Sequence, residues 1–114
     1  MQRFRRHKPF LQAILRTADQ KQRQDLLQHA NADQINAISE LVLNLLKNNI
    51  PISSRVVSTL SQAKEALRGI GKRRLSVKQR RQLLQKVSSP GVWKALYKVF
   101  TICCRHAQQQ QAPP

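Results

Sequence analysis

The sequence predicts an all-α protein, a compact bundle of five to six short helices with disordered termini. Apolar residues recur at three- and four-residue spacings along nearly the whole chain. Glycine is confined to Gly69, Gly71 and Gly91, and no period-two alternation longer than about four residues offers a competing strand. The first helix starts at Pro9, which is tolerated at a helix start, and aligns Leu11, Ile14, Leu15 and Ala18. Asp19 caps a weaker second helix carrying Leu26, Leu27 and Ala30. Asn31, three residues ahead of Gln34, reads as a capping box for the third, whose stripe is Ile35, Ile38, Leu41, Val42, Leu45 and Leu46. That helix stops at Lys47-Asn48-Asn49, ahead of Pro51. Ser53 or Ser54 caps a fourth with Val56, Leu60, Ala63, Leu67 and Ile70 on one face, ended by two glycines. Ser76 caps a fifth with Val77, Leu83, Leu84 and Val87, and Ser89-Pro90 opens a sixth with Trp93, Leu96, Tyr97, Phe100 and Cys104.

Charge defines the function classes. The 114 residues hold 21 Lys and Arg against 5 Asp and Glu, a formal net charge of +16. Such a chain repels itself at low salt and calls for a polyanion, with nucleic acid first, an anionic membrane surface second and an acidic protein third. The surplus is uneven, because all five acids fall in the first 65 residues and none in 66–114. The aromatic content of 4 % leaves Leu, Ile and Val to do most of the packing.

The densest basic run is Arg68, Lys72, Arg73, Arg74, Lys78, Arg80, Arg81 and Lys86, flanking the N-capped start of the fifth helix. These side chains neutralise phosphates, and the first backbone N–H groups of a helix bind phosphate oxygens directly. Six to eight such contacts predict a slope of log K against log salt of about −5 to −7 on duplex DNA. Arg3, Arg5, Arg6 and Lys8 form a flexible secondary basic arm. Gln79, Gln82, Arg80 and Arg81 could reach base edges from a groove, although the expected connection of about eight residues between helices four and five exceeds the usual helix-turn-helix turn. Arg73-Arg74-Leu75-Ser76 matches the preference of basophilic kinases, which makes Ser76 a candidate phosphosite; the plainer role of that serine is N-capping.

In the last helix Trp93, Leu96, Tyr97 and Phe100 make an apolar face interleaved with Lys94 and Lys98. Three readings stand for this face: packing on helices three and four, a partner or self-association surface such as a capsid contact, and insertion at a lipid interface. Cys103 and Cys104 are adjacent and with His106 form only a partial ligand set, so no metal and no cofactor are expected. A nucleophilic cysteine would need an orienting acid, and the nearest in sequence is Glu65. The chain therefore reads as a non-enzyme with no small-molecule substrate. It contains no apolar span of membrane length, and its basic start lacks the apolar region of a secretory signal, so the chain is expected to stay in the cytosol or enter the nucleus. The expected organisation is a basic arm over 1–8, one helical domain over 9–104 and a disordered Gln/Pro tail over 105–114.

Over residues 9–87 the order of LLQHANADQINAISELVLNLLKNNIPI, AKEALRGIGKRRLS and VKQRRQLLQK resembles the small basic proteins of Polinton-like and adintovirus-type double-stranded DNA elements and viruses of animals. Asn44-Leu45-Leu46-Lys47-Asn48-Asn49-Ile50-Pro51 stands where that family reads N-x-L-x-G-N-x-P, with Asn48 in place of its Gly. Where the family continues with Gly-Gly and an apolar tail, this chain reads Val87-Ser88-Ser89-Pro90-Gly91 and then the aromatic, lysine-bearing helix. The resemblance implies a viral or mobile-element product, a genome-associated core or minor virion protein, and brings no catalytic residues.

Overall fold

The computed structural model describes residues 5–47, 52–72 and 74–111, with side chains as far as Arg105. Among these residues the chain forms seven α-helices: α1 Lys8–Arg16, α2 Gln20–His29, α3 Ala32–Leu46, α4 Ser54–Ser61, α5 Lys64–Gly71, α6 Val77–Lys86 and α7 Pro90–Gln111. Caps set most of the starts. Asp19 accepts from the Lys21 amide at 3.1 Å ahead of α2, and Ser53 accepts from Val56 at 3.3 Å ahead of α4. Two reciprocal capping boxes form, one from Asn31 and Gln34 on α3 at 2.8 and 2.9 Å and one from Ser76 and Gln79 on α6 at 3.1 and 2.9 Å.

The count of seven, against the expected five or six, comes from a break in the anticipated fourth helix. The Thr59 hydroxyl donates back to the Arg55 carbonyl and the Ser61 hydroxyl to that of Val57, a competition that bends helices. The backbone then tightens, with the Gln62 and Ala63 amides donating to Thr59 and Leu60 three residues back, and α5 begins afresh at Lys64. The buried stripe survives the break, since Val56, Leu60, Leu67 and Ile70 all stay inside.

Gly69 and Gly71 do not end a helix ahead of a long loop; both belong to α5. A Cβ on Gly69 would lie 2.6 Å from Leu83 Cδ1, so the bare backbone lets α5 and α6 approach closely. The α5–α6 connection shrinks accordingly to residues 72–76. At the other end α7 runs to Gln111, past the boundary at 105 that the Gln-rich composition suggested. Ala18 falls beyond the end of α1 and is exposed, as are Leu26 and Leu46, while the other expected stripe residues of α1, α2 and α3 are buried.

Helix α3 packs chiefly on α5 and also on α6 and α1, whereas α7 lies across α1 and α4. One connected core results, running from Leu11 and Ile14 through Ile38 and Leu41 to Trp93, Val99 and Cys103. The radius of gyration, 13.4 Å, matches the roughly 13 Å of a folded chain this long.

Candidate nucleic-acid interface

Helix α6 has two faces with different chemistry. Its inner side carries Val77, Arg80, Leu83, Leu84 and Val87, and its outer side Lys78, Gln79, Gln82 and Lys86, all four exposed. Lys78, Gln82 and Lys86 follow at i, i+4 and i+8 and so share one line along the helix. Arg68 in the last turn of α5, then Lys72 and Arg74 in the connection that leads into α6, are exposed as well. No acid follows Glu65 in the chain, and Glu65 itself, exposed one turn before Arg68, lines a cleft with Lys86. Arg73 and Arg3 lie outside the described residues.

Two arginines expected on this surface point elsewhere. Arg80 is 5 % exposed. Its guanidinium donates to Ser39 Oγ and to Asn36 Oδ1, each at 2.7 Å, fastening α6 to α3. Arg81 is half-buried and donates at 2.6 Å to the Ala30 carbonyl at the end of α2, where cations meet the negative pole of a helix. Gln85 continues the α2–α6 seam by donating to Gln28 Oε1 at 3.0 Å. Arginine suits such sites because its planar fork holds several acceptors at once. Burying either guanidinium against a phosphate would first require breaking these bonds, so neither is a surface contact. Ser39 and Asn36, which read in sequence as neutral positions on a core helix, were missed; their only signal is a pair of polar residues beside the α3 stripe.

The basic arm is similarly reassigned in part. Arg5 is exposed, Lys8 opens α1, and Arg6 with His7 engages Asp33 Oδ2 at 3.4 and 2.6 Å. Residues 5–8 are therefore attached to the body rather than extended from it.

The aromatic face of α7 is core. Trp93 is 1 % exposed, Leu96 and Phe100 are buried beside it, and Tyr97 is half-buried with its ring stacked on Phe100 at 6.0 Å. The indole N–H of Trp93 donates to the Val87 carbonyl at 2.7 Å. The Arg23 guanidinium, itself buried on α2, sits 4.5 Å from the Trp93 ring and donates to the Thr17 carbonyl. Burial lowers the pKa of Arg23 below the ordinary arginine value, and Asp19 opposes that shift. Of the three readings for this face, internal packing holds: α7 packs on α4, the first half of the anticipated fourth helix, and on α1 in place of the third helix. Cys103 is buried as well, and burial with the neighbouring Cys104 pushes its thiol up to about 11. Among the described residues no helix is long and apolar enough to cross a membrane.

Ser76 is exposed and closes the capping box of α6. The segment Asn48-Asn49-Ile50-Pro51, which carries much of the family resemblance, lies outside the described residues. No family model, curated protein or solved structure matches this chain.

Proposed function

We propose that this chain is a non-enzymatic nucleic-acid-binding protein that grips DNA phosphates without strong sequence preference. The observation that carries the proposal is the outer surface of α6 and its entry, where Arg68, Lys72, Arg74, Lys78 and Lys86 are all exposed on an acid-free stretch. Five phosphate contacts give an expected slope of log K against log salt of about −4.5 on duplex DNA. The genome-associated role in a virus or mobile element rests on the family resemblance and belongs to the same proposal. Burial of Trp93, Leu96 and Phe100 takes away the apolar face that a lipid-inserting helix needs, which favours phosphate chains over bilayers as the polyanion.

A second reading, a helix-turn-helix-like regulator, draws on the five residues of the α5–α6 connection and on exposed Gln79 and Gln82 of the outer face. Gel shifts over a salt series, with random and selected duplexes of one length, separate the two. Equal affinity for all duplexes with a steep salt slope is the expected result. A preference of a hundredfold or more for one selected sequence would favour the regulator.

A further inference from the structure

We infer that α1 and α7 together form a second DNA-binding face, separate from that of α6, so that one molecule bridges two duplex segments. This rests on the DNA-binding reading above and specifies its mechanism. Lys94, Lys98 and Arg105 are exposed and stand at i, i+4 and i+11 on α7. At about 100° per residue these positions fall within about 40° of one another, a straight cationic row about 16 Å long.

Helix α1 extends the row sideways. Helix α1, which starts at Lys8, packs against α7. At the opposite end Arg23 joins the Thr17 carbonyl, just past α1, to the Trp93 ring near the start of α7. The α1 cations thus stand on a helix in contact with α7, with exposed Arg16 toward the Lys94 end and Lys8 and exposed Arg5 at the far end of α1. Neither helix contains an acid. The acids closest to α1 in contact or sequence are engaged, Asp33 with His7 and Arg6, and Asp19 in the cap of α2.

The exposed side chains of the row are cationic, while Trp93, Leu96 and Phe100 are buried and the neighbouring Tyr97 and Ile102 are half-buried. A phosphate backbone, carrying one charge per about 1.7 Å of duplex axis, fits such a row; a lipid interface asks for exposed apolar anchors. The two faces belong to different packing sets, α7 lying on α1 and α4, and α6 on α2, α3 and α5. A duplex held on one face therefore leaves the other helix's cations available to a second.

The test is capture of a dye-labelled short duplex by the full chain already bound to a tethered duplex, with single-duplex affinity measured in parallel by anisotropy. Wild type is expected to capture. The variant Lys94→Gln, Lys98→Gln, Arg105→Gln is expected to lose about tenfold or more of the capture while its single-duplex affinity stays within about threefold. The variant Lys94→Arg, Lys98→Arg is expected to retain capture, because it keeps the charge. Capture by the triple Gln variant at the wild-type level would overturn the second face and point to bridging through protein self-association. Wild type that binds one duplex and captures none would overturn bridging while leaving the DNA-binding reading intact. Wild type that binds no duplex would overturn both. Loss of anionic-vesicle binding in the triple variant, with duplex capture unchanged, would assign the row to lipid and overturn the inference.

Discussion

Helices α6 and α7 both carry an apolar stripe and several cations, yet they are held in the fold by different forces. Helix α7 is seated by burial of Trp93, Leu96, Val99 and Phe100, which the hydrophobic effect stabilises in proportion to apolar area. Helix α6 buries Leu84, packs Val77 and Leu83 against the core, and adds arginine and glutamine hydrogen bonds to α2 and α3. Its cations thus divide into two populations, inward arginines that hold the helix and outward lysines that meet solvent. A charge count treats them alike. Only packing separates the structural part of the surplus from the part available to a polyanion.

Replacing Trp93 by Ala breaks the stronger half of this contrast and should cost the most. Loss of a fully buried indole is expected to lower unfolding free energy by about 3 to 5 kcal/mol, read from the urea midpoint. Next comes Arg80→Ala, which strands the partners on Ser39 and Asn36 and is expected to cost about 2 to 3 kcal/mol, as hydrogen bonds to charged groups do. An Arg80 substitution that left stability unchanged would sink the division into two populations. Ser76→Ala removes the acceptor for the Gln79 amide and should cost about 1 kcal/mol. The outward pair Lys78→Gln and Lys86→Gln is expected to shift stability by no more than about 0.5 kcal/mol each, while making the salt slope of DNA binding shallower by about 1.8.

Thiol titration sharpens the same contrast on the α7 side. The Cys103 pKa is raised in the fold to about 11 from an ordinary 9.0, so the unfolded chain loses this proton first. Stability from this group is therefore complete below about pH 9 and is lost as pH rises toward about 11. Alkylation of Cys103 at pH 8 is expected to be slow in the folded chain and to become fast in denaturant.

The helical class and most core positions were legible in the sequence, because three-and-four spacing and capping residues act over short distances. Asn31–Gln34 formed the box its spacing specifies and Ser76 capped α6 as expected, with Gln79 completing a second box beyond the expected cap. The break at Gln62–Ala63 was hidden, since the apolar stripe runs straight through it and only the hydroxyls of Thr59 and Ser61 mark it. The fates of Arg80 and Arg81 were hidden for a deeper reason. Their acceptors, Asn36, Ser39 and the Ala30 carbonyl, lie 41 to 51 residues earlier in the chain, and no local pattern ties them together. The aromatic face of α7 was ambiguous because a core helix and a membrane-surface helix share one pattern, and only the presence of α1 and α4 beside it decides.

The central claim is that the outward cations of α6 and its entry, and not its inward arginines, engage phosphate. Its most direct test is the salt dependence of duplex binding for wild type beside the variant Lys72→Gln, Arg74→Gln, Lys78→Gln, Lys86→Gln. The account gives a wild-type slope of about −4.5 and a variant slope of about −2.7, that of the three α7 cations Lys94, Lys98 and Arg105, because Arg68, the one base left on the α6 face, supports only about −0.9. A variant that melts like wild type and keeps the full wild-type slope would contradict it.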